Sequence, residues 1–235
     1  MLEKNNFIPN KTELIFALDF DSKKKAYHWV DLLAPTISFF KIGLQLFTVS
    51  HFEVVDCLLE HKLKVMLDLK LYDIPNTVAN TVKKITKRKI DFLTVHSEVN
   101  TMKAAVENKN DTKILAVTVL TSLDDSDLLK LGYRYNTTSL VLKKTELALE
   151  CGCDGIVCSG KELPYVRKQF GYDFIVVIPA IRLETGKNDQ KRISSDLESL
   201  LEYKPNYFVL GRTISANKNP INKLKEVKSL LCGGI

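Results

Sequence analysis

The feature that most constrains this chain is its rhythm. Eight short β-rich runs recur along it: LIFALD (14–19), FFKIG (39–43), KVMLDLK (64–70), FLTVHS (92–97), KILAVTVL (113–120), GIVCS (155–159), FIVVIPAI (174–181) and YFVLGR (207–212). Between them lie segments such as SKKKAYHWVDLLA, LFTVSHFEVVDCLLEHK, TVANTVKKITKRK and SSDLESLLEYK, whose apolar residues fall at three- and four-residue spacing, the mark of a helix with one buried face. Strands separated by crossover helices must run parallel, and parallel strands need both faces covered. Eight such units in 235 residues predict an α/β fold, a closed (β/α)8 TIM barrel forming one domain over 1–235. The alternative, a doubly wound open sheet for dinucleotides, would place a glycine-rich turn after its first strand, and FALDFDS has none. No Pro/Gly/Ser-rich linker, repeat or low-complexity tract divides the chain. The long connection TSLDDSDLLKLGYRYNTTS predicts an extra short helix.

Composition narrows the function classes. With 45% hydrophobic and 26% charged residues and no apolar run near the ~20 residues of a membrane span, the chain reads as soluble. MLEKNNFIPNK lacks the basic start, apolar stretch and small-residue cleavage site of a secretory signal, so the cytoplasm is the expected compartment. Five cysteines, Cys57, Cys151, Cys153, Cys158 and Cys232, are an odd number and read as free thiols. The cluster CGCDGIVC has neither a CxxC pair nor a nearby histidine, so its cysteines read as strand filling and no metal is expected. The net charge of +6 is spread over SKKK, KKITKRK and KLKEVK along helix faces, which reads as solvated surface and not as a nucleic-acid interface.

A barrel of this kind carries its chemistry at the C-terminal ends of its strands. The residues there are Asp19, Lys41, Asp68 with Lys70, His96, Thr121 with Ser122, and Gly211 with Arg212. Within VMLDLKLYDIP, side-chain alternation puts Asp68 and Lys70 on one face and Leu67, Leu69 and Leu71 on the other, where they can pack under helices. A lone inward charge is costly, whereas alternating signs with Lys41 and Asp19 nearby neutralise one another. Such a network could serve only to fix the barrel, but that would leave Asp73, in the turn before Ile74 and Pro75, without a reason.

These residues carry a resemblance. FALDF, FKIGLQLF, LDLKLYDIPNT, VHS, VTVLTS, VCSG, IPAIR with NDQKR, and FVLGRTI stand in the order and spacing of the orotidine 5′-phosphate decarboxylase family, and are most similar to its bacterial branch. The resemblance spans essentially the whole chain. DxKxxD alone is shared with related sugar-phosphate lyases, whereas DxKxxDIPxT followed by a strand ending in GR is specific. Two positions depart from the family pattern in the loop after the seventh strand: Ala180, where PGIRP is usual, and Asn188, where glycine usually precedes the aspartate.

The resemblance implies conversion of orotidine 5′-monophosphate to UMP and CO2 in pyrimidine biosynthesis, without metal or organic cofactor. It makes Lys70 the residue that stabilises and protonates a carbanion at C6, with Asp68, Asp73 and Lys41 completing the catalytic array. Asp19 would bind a ribose hydroxyl, Lys41 would link Asp68 to the ribose, and Thr121 and Ser122 would read the pyrimidine. Ile74 and Pro179 are further substrate contacts. Arg182, Gln190, Gly211 and Arg212 would hold the 5′-phosphate between the last two loops, the usual barrel location for such a group. Asp73 and Thr77 would reach into the neighbouring subunit's site, which implies a homodimer and accounts for the turn charge. His96 stays open between a site residue and a hydrogen-bonded structural one. The rival readings are a metal-dependent sugar-phosphate lyase using Asp68 and Asp73, and a catalytically silent barrel binding RNA through its basic helices.

Overall fold

The computed structural model describes residues 11–179 and 197–233. Within them eight parallel strands close into a barrel in chain order: β1 (Glu13–Ala17), β2 (Phe39–Gly43), β3 (Lys64–Leu71), β4 (Phe92–His96), β5 (Lys113–Val117), β6 (Gly155–Val157), β7 (Ile175–Ile178) and β8 (Tyr207–Leu210). Closure runs through β1 and β8, where Glu13 pairs with Tyr207 and Phe16 with Leu210. The expected rhythm is therefore observed, and the extra helix of the long connection is Asp125–Lys130, begun by a reciprocal capping box between Asp124 and Asp127. Among the described residues no helix is long and apolar enough to cross a membrane.

Several strands stop short of the expected runs. β1 ends at Ala17: Leu18 makes the last bond to β2, its N–H donating to the Lys41 carbonyl, and the Phe20 N–H then turns back onto Leu18 O. β5 ends at Val117, where the N–H and hydroxyl of Thr118 both donate to Val157 O. Asp19, Thr121 and Ser122 thus lie past the ladder, on the loops of the barrel mouth.

Alternation along each strand sorts two cores. Outward residues, among them Phe16, Phe40, Ile42, Leu67, Leu93 and Ile114, pack under the helices, with Leu69 and Leu71 at the margin of that layer as expected. Inward residues fill the barrel. Its base is closed by Phe39, Phe92 and Tyr207, whose ring centroids stand 5.0 to 5.5 Å apart. Gly155 lets β6 approach β7, since a Cβ there would lie 2.1 Å from Ile175 O. Above the aromatic base the inward row divides. Lys41, Asp68 and Thr94 come from β2, β3 and β4, whereas Val117, Val157, Val177 and Val209 come from β5 to β8.

Candidate active site

A cavity of about 630 Å³ opens at the C-terminal ends of the strands, the size of a small-ligand site. Its lining includes Asp19, Lys41, Asp68, Lys70, Thr121, Ser122, Pro179, Gly211 and Arg212, nine of the residues expected from sequence. Val117, Val157 and Val209 supply the apolar wall opposite the charges.

The floor is a chain of alternating charges. Lys41 Nζ lies 2.8 Å from Asp19 Oδ1 and 3.5 Å from Asp68 Oδ2, and Lys70 Nζ lies 2.8 Å from Asp68 Oδ1. Side-chain exposure is 10% for Lys41 and 13% for Asp68, but 30% for Lys70 and 55% for Asp19, so the buried pair is flanked by groups that open to the cavity. Burial alone would pull the Lys41 ammonium down, but the charges of Asp68 and Asp19 outweigh it and hold the group above its ordinary value. Burial would likewise push the Asp68 carboxyl up; Lys41 and Lys70, helped by a hydrogen bond from Thr94, outweigh that and hold it below the usual range. Both groups are therefore charged at neutral pH.

Lys70 is not held by ordinary strand geometry. Its φ is +51°, and the β3–β4 register slips between Leu67 and Leu71. A left-handed conformation costs a non-glycine residue on the order of 1–3 kcal/mol and persists where the surroundings over-determine it. The slip, in the manner of a β-bulge, re-aims the side chain at the strand end. Here the Lys70 N–H finds Thr94 Oγ1 at 2.9 Å, and the Thr94 hydroxyl donates to Asp68 Oδ1 at 2.9 Å. Gly43, at the end of β2, is the other local requirement: a Cβ there would stand 3.1 Å from both Asp19 Oδ1 and Lys41 Nζ. Any larger residue would press on the ion pair.

Three expected residues lie apart from the cavity lining. Asp73, Ile74 and Thr77 are exposed. Pro75 at the first turn starts the helix Pro75–Ile85, and Asp73 Oδ1 accepts the Ile74 N–H at 2.7 Å, so the turn is shaped locally and its side chains face outward. Tyr72 and Ile74 beside it are large apolar groups at 68% and 66% exposure. His96 is also absent from the lining: its ring packs on Tyr72 at 5.4 Å, and burial, then the Lys144 and Lys70 charges, hold its imidazole below the ordinary value. Arg182 and Gln190, with Ala180 and Asn188, lie outside the described residues.

Thr94 and Gly43 are two residues that shape the charged floor and that sequence reading missed, as it missed the valine wall. Thr94 carried a signal, being a polar residue on the inward row of β4 with Phe92 and His96. The GLQ after FFKI carried none until its neighbours were known. Among the described residues no group of three or more His, Cys, Asp or Glu is arranged to hold a metal ion, and Cys57, Cys151, Cys153 and Cys158 are free thiols. An ammonium at the edge of a cavity, held by a buried carboxylate and facing an apolar wall, can stabilise an adjacent carbanion and deliver a proton to it.

The sequence model of the Orotidine 5'-phosphate decarboxylase / HUMPS family matches residues 12–227. Over 219 residues the chain is 41% identical to the orotidine 5'-phosphate decarboxylase of Methylococcus capsulatus, covering 92% of this chain and 90% of that protein. Identity to the protein of the same name from Buchnera aphidicola subsp. Schizaphis graminum is 38% over 231 residues, covering 95% and 97%. Among solved structures, orotidine 5'-phosphate decarboxylase from Lactobacillus acidophilus superposes with a TM-score of 0.80 at 29% identity, over 94% of this chain and 99% of that one.

Proposed function

The chain belongs to the orotidine 5'-phosphate decarboxylase / HUMPS family, and from that premise we infer that it converts orotidine 5′-monophosphate to UMP and CO2, a step of pyrimidine biosynthesis. The observation that carries this reading is the Asp19–Lys41–Asp68–Lys70 chain of charges on the cavity floor, with Lys70 opening to the cavity.

The C6–carboxylate bond breaks, its electron pair stays on C6, and CO2 leaves neutral. Lys70 Nζ stabilises the developing carbanion by charge and transfers its proton to C6, then recovers a proton from water. Asp68 keeps Lys70 charged and aimed, and its own charge beside the substrate carboxylate is relieved as CO2 departs. The valine wall excludes water and so strengthens the field of the ammonium. The reaction asks for no cofactor.

Asp19 and Lys41 suit the ribose hydroxyls, and Thr121, Ser122, Ile74 and Pro179 the pyrimidine. Gly211 and Arg212, with Arg182 and Gln190, suit the 5′-phosphate. Among the described residues the nearest atom a Cβ at Gly211 would meet is Ala17 Cβ at 3.6 Å, an ordinary contact, and we read the bareness of Gly211 as room for phosphate oxygens. The exposed Asp73 and Thr77, set among exposed Tyr72 and Ile74, support a homodimer in which this turn completes the partner's site. The free thiols suit a reducing compartment, the cytoplasm.

The test is direct: purified protein is incubated with orotidine 5′-monophosphate, and the change in ultraviolet absorbance is followed together with chromatographic appearance of UMP. Turnover that survives EDTA is expected. No UMP would refute the reading, and activity lost in EDTA and restored by Mg²⁺ would favour a metal-dependent lyase.

A further inference from the structure

We propose that Thr94 is a positioning residue for the decarboxylation, its single hydroxyl setting the aim of both Lys70 and Asp68. The inference rests on the function proposed above, and it follows from the direction of three hydrogen bonds. The Lys70 N–H can only donate, so Thr94 Oγ1, 2.9 Å away, must accept. The one proton of the Thr94 hydroxyl is then available for Asp68 Oδ1, also at 2.9 Å, which as a carboxylate oxygen can only accept. The same Asp68 oxygen accepts from Lys70 Nζ at 2.8 Å. The bonds close a ring: Lys70 main chain to Thr94, Thr94 to Asp68, Asp68 to the Lys70 side-chain tip.

That ring explains the left-handed backbone at Lys70. The β3–β4 register slips at this point, and the Lys70 N–H turns to the Thr94 hydroxyl on β4. Thr94 is fully buried on the inward row of β4, so water cannot substitute for it. A main-chain donor and a carboxylate are thus bridged by one atom whose own position is set by a stiff, β-branched side chain. Without the hydroxyl the main-chain donor loses its partner, the strained φ loses a reason to persist, and Asp68 can swing toward Lys41. A misplacement of the proton donor by a fraction of an ångström falls on the chemical step and leaves ribose and phosphate contacts in place.

The experiment compares wild type, Thr94→Val and Thr94→Ser in steady-state decarboxylation of orotidine 5′-monophosphate. Thr94→Val, nearly the same shape without the hydroxyl, should lower kcat by about tenfold or more while KM stays within about threefold. Thr94→Ser, which keeps the hydroxyl, should recover most of that loss. Thr94→Ala serves as the hydroxyl-free variant if the valine variant does not fold. A folded hydroxyl-free variant with kcat within about twofold of wild type would overturn the proposal, as would a serine variant no better than valine. Absence of turnover by the wild type would instead overturn the proposed function and this inference with it.

Discussion

The cavity floor and the turn after β3 are built from neighbouring residues of one motif, yet they are finished to different degrees. On the floor every charge has its counter-charge within the chain: Lys41 between Asp19 and Asp68, Asp68 between Lys41 and Lys70. Two residues past the strand, the Asp73 carboxylate accepts the N–H of its own turn at Ile74, and Asp73, Ile74 and Thr77 are exposed. The difference teaches that one motif serves both an inward and an outward face. Inward alternation directs Asp68 and Lys70 to their own barrel, while the proline-started helix turns Asp73 away from it. In the homodimer proposed above, the site is preorganised in charge by one chain and completed in shape by the second.

The sharpest way to break the floor is to remove its terminal charge. In the proposed mechanism Lys70→Ala takes away the transition-state charge and the proton donor together, and turnover should fall by more than about a thousandfold with the far-ultraviolet spectrum unchanged. Activity within about tenfold of wild type would remove Lys70 from the role given to it.

A smaller effect, on stability, should separate floor from turn. The folded-state carboxyl of Asp68 lies below its unfolded value, so its ionisation contributes stability that is present above the ordinary aspartate range and is lost as pH falls through the folded value. Asp68→Asn should therefore lower Tm at neutral pH, and the gap to wild type should narrow on acidification below about pH 4. Lys41, held above its unfolded value, contributes fully below the ordinary lysine range and gives way only in strong alkali. Thermal melts across pH 3 to 7 check this, and a gap that widens in acid would contradict the network as described.

Most of this was legible in the sequence, because period-2 and period-3.6 patterning determine which elements form and which side faces in. Eight strands, the mouth and eight of the nine lining residues follow from the strand pattern and where its runs end, while Pro179 followed only from the family resemblance. Three features did not, each because it depends on contact between strands distant in sequence. The slip at Lys70 requires an acceptor on β4; the need for Gly43 appears only when Asp19 and Lys41 converge beside it; and strand ends at Ala17 and Val117 are set by bonds to Lys41 O and Val157 O. His96, open in sequence, packs on Tyr72 outside the cavity lining.

The proposed two-chain site is tested most directly by subunit mixing. Lys70→Ala and Asp73→Asn homodimers should each be defective, since each lacks one member of every site. In a mixed dimer one site collects both defects, while the other joins an intact Lys70 to its partner's intact Asp73. With random exchange half the dimers are mixed and half of their sites are whole, so about a quarter of all sites should recover activity toward orotidine 5′-monophosphate. No recovery, with exchange demonstrated by differently tagged chains, would show that Asp73 serves its own barrel and would contradict the division between floor and turn.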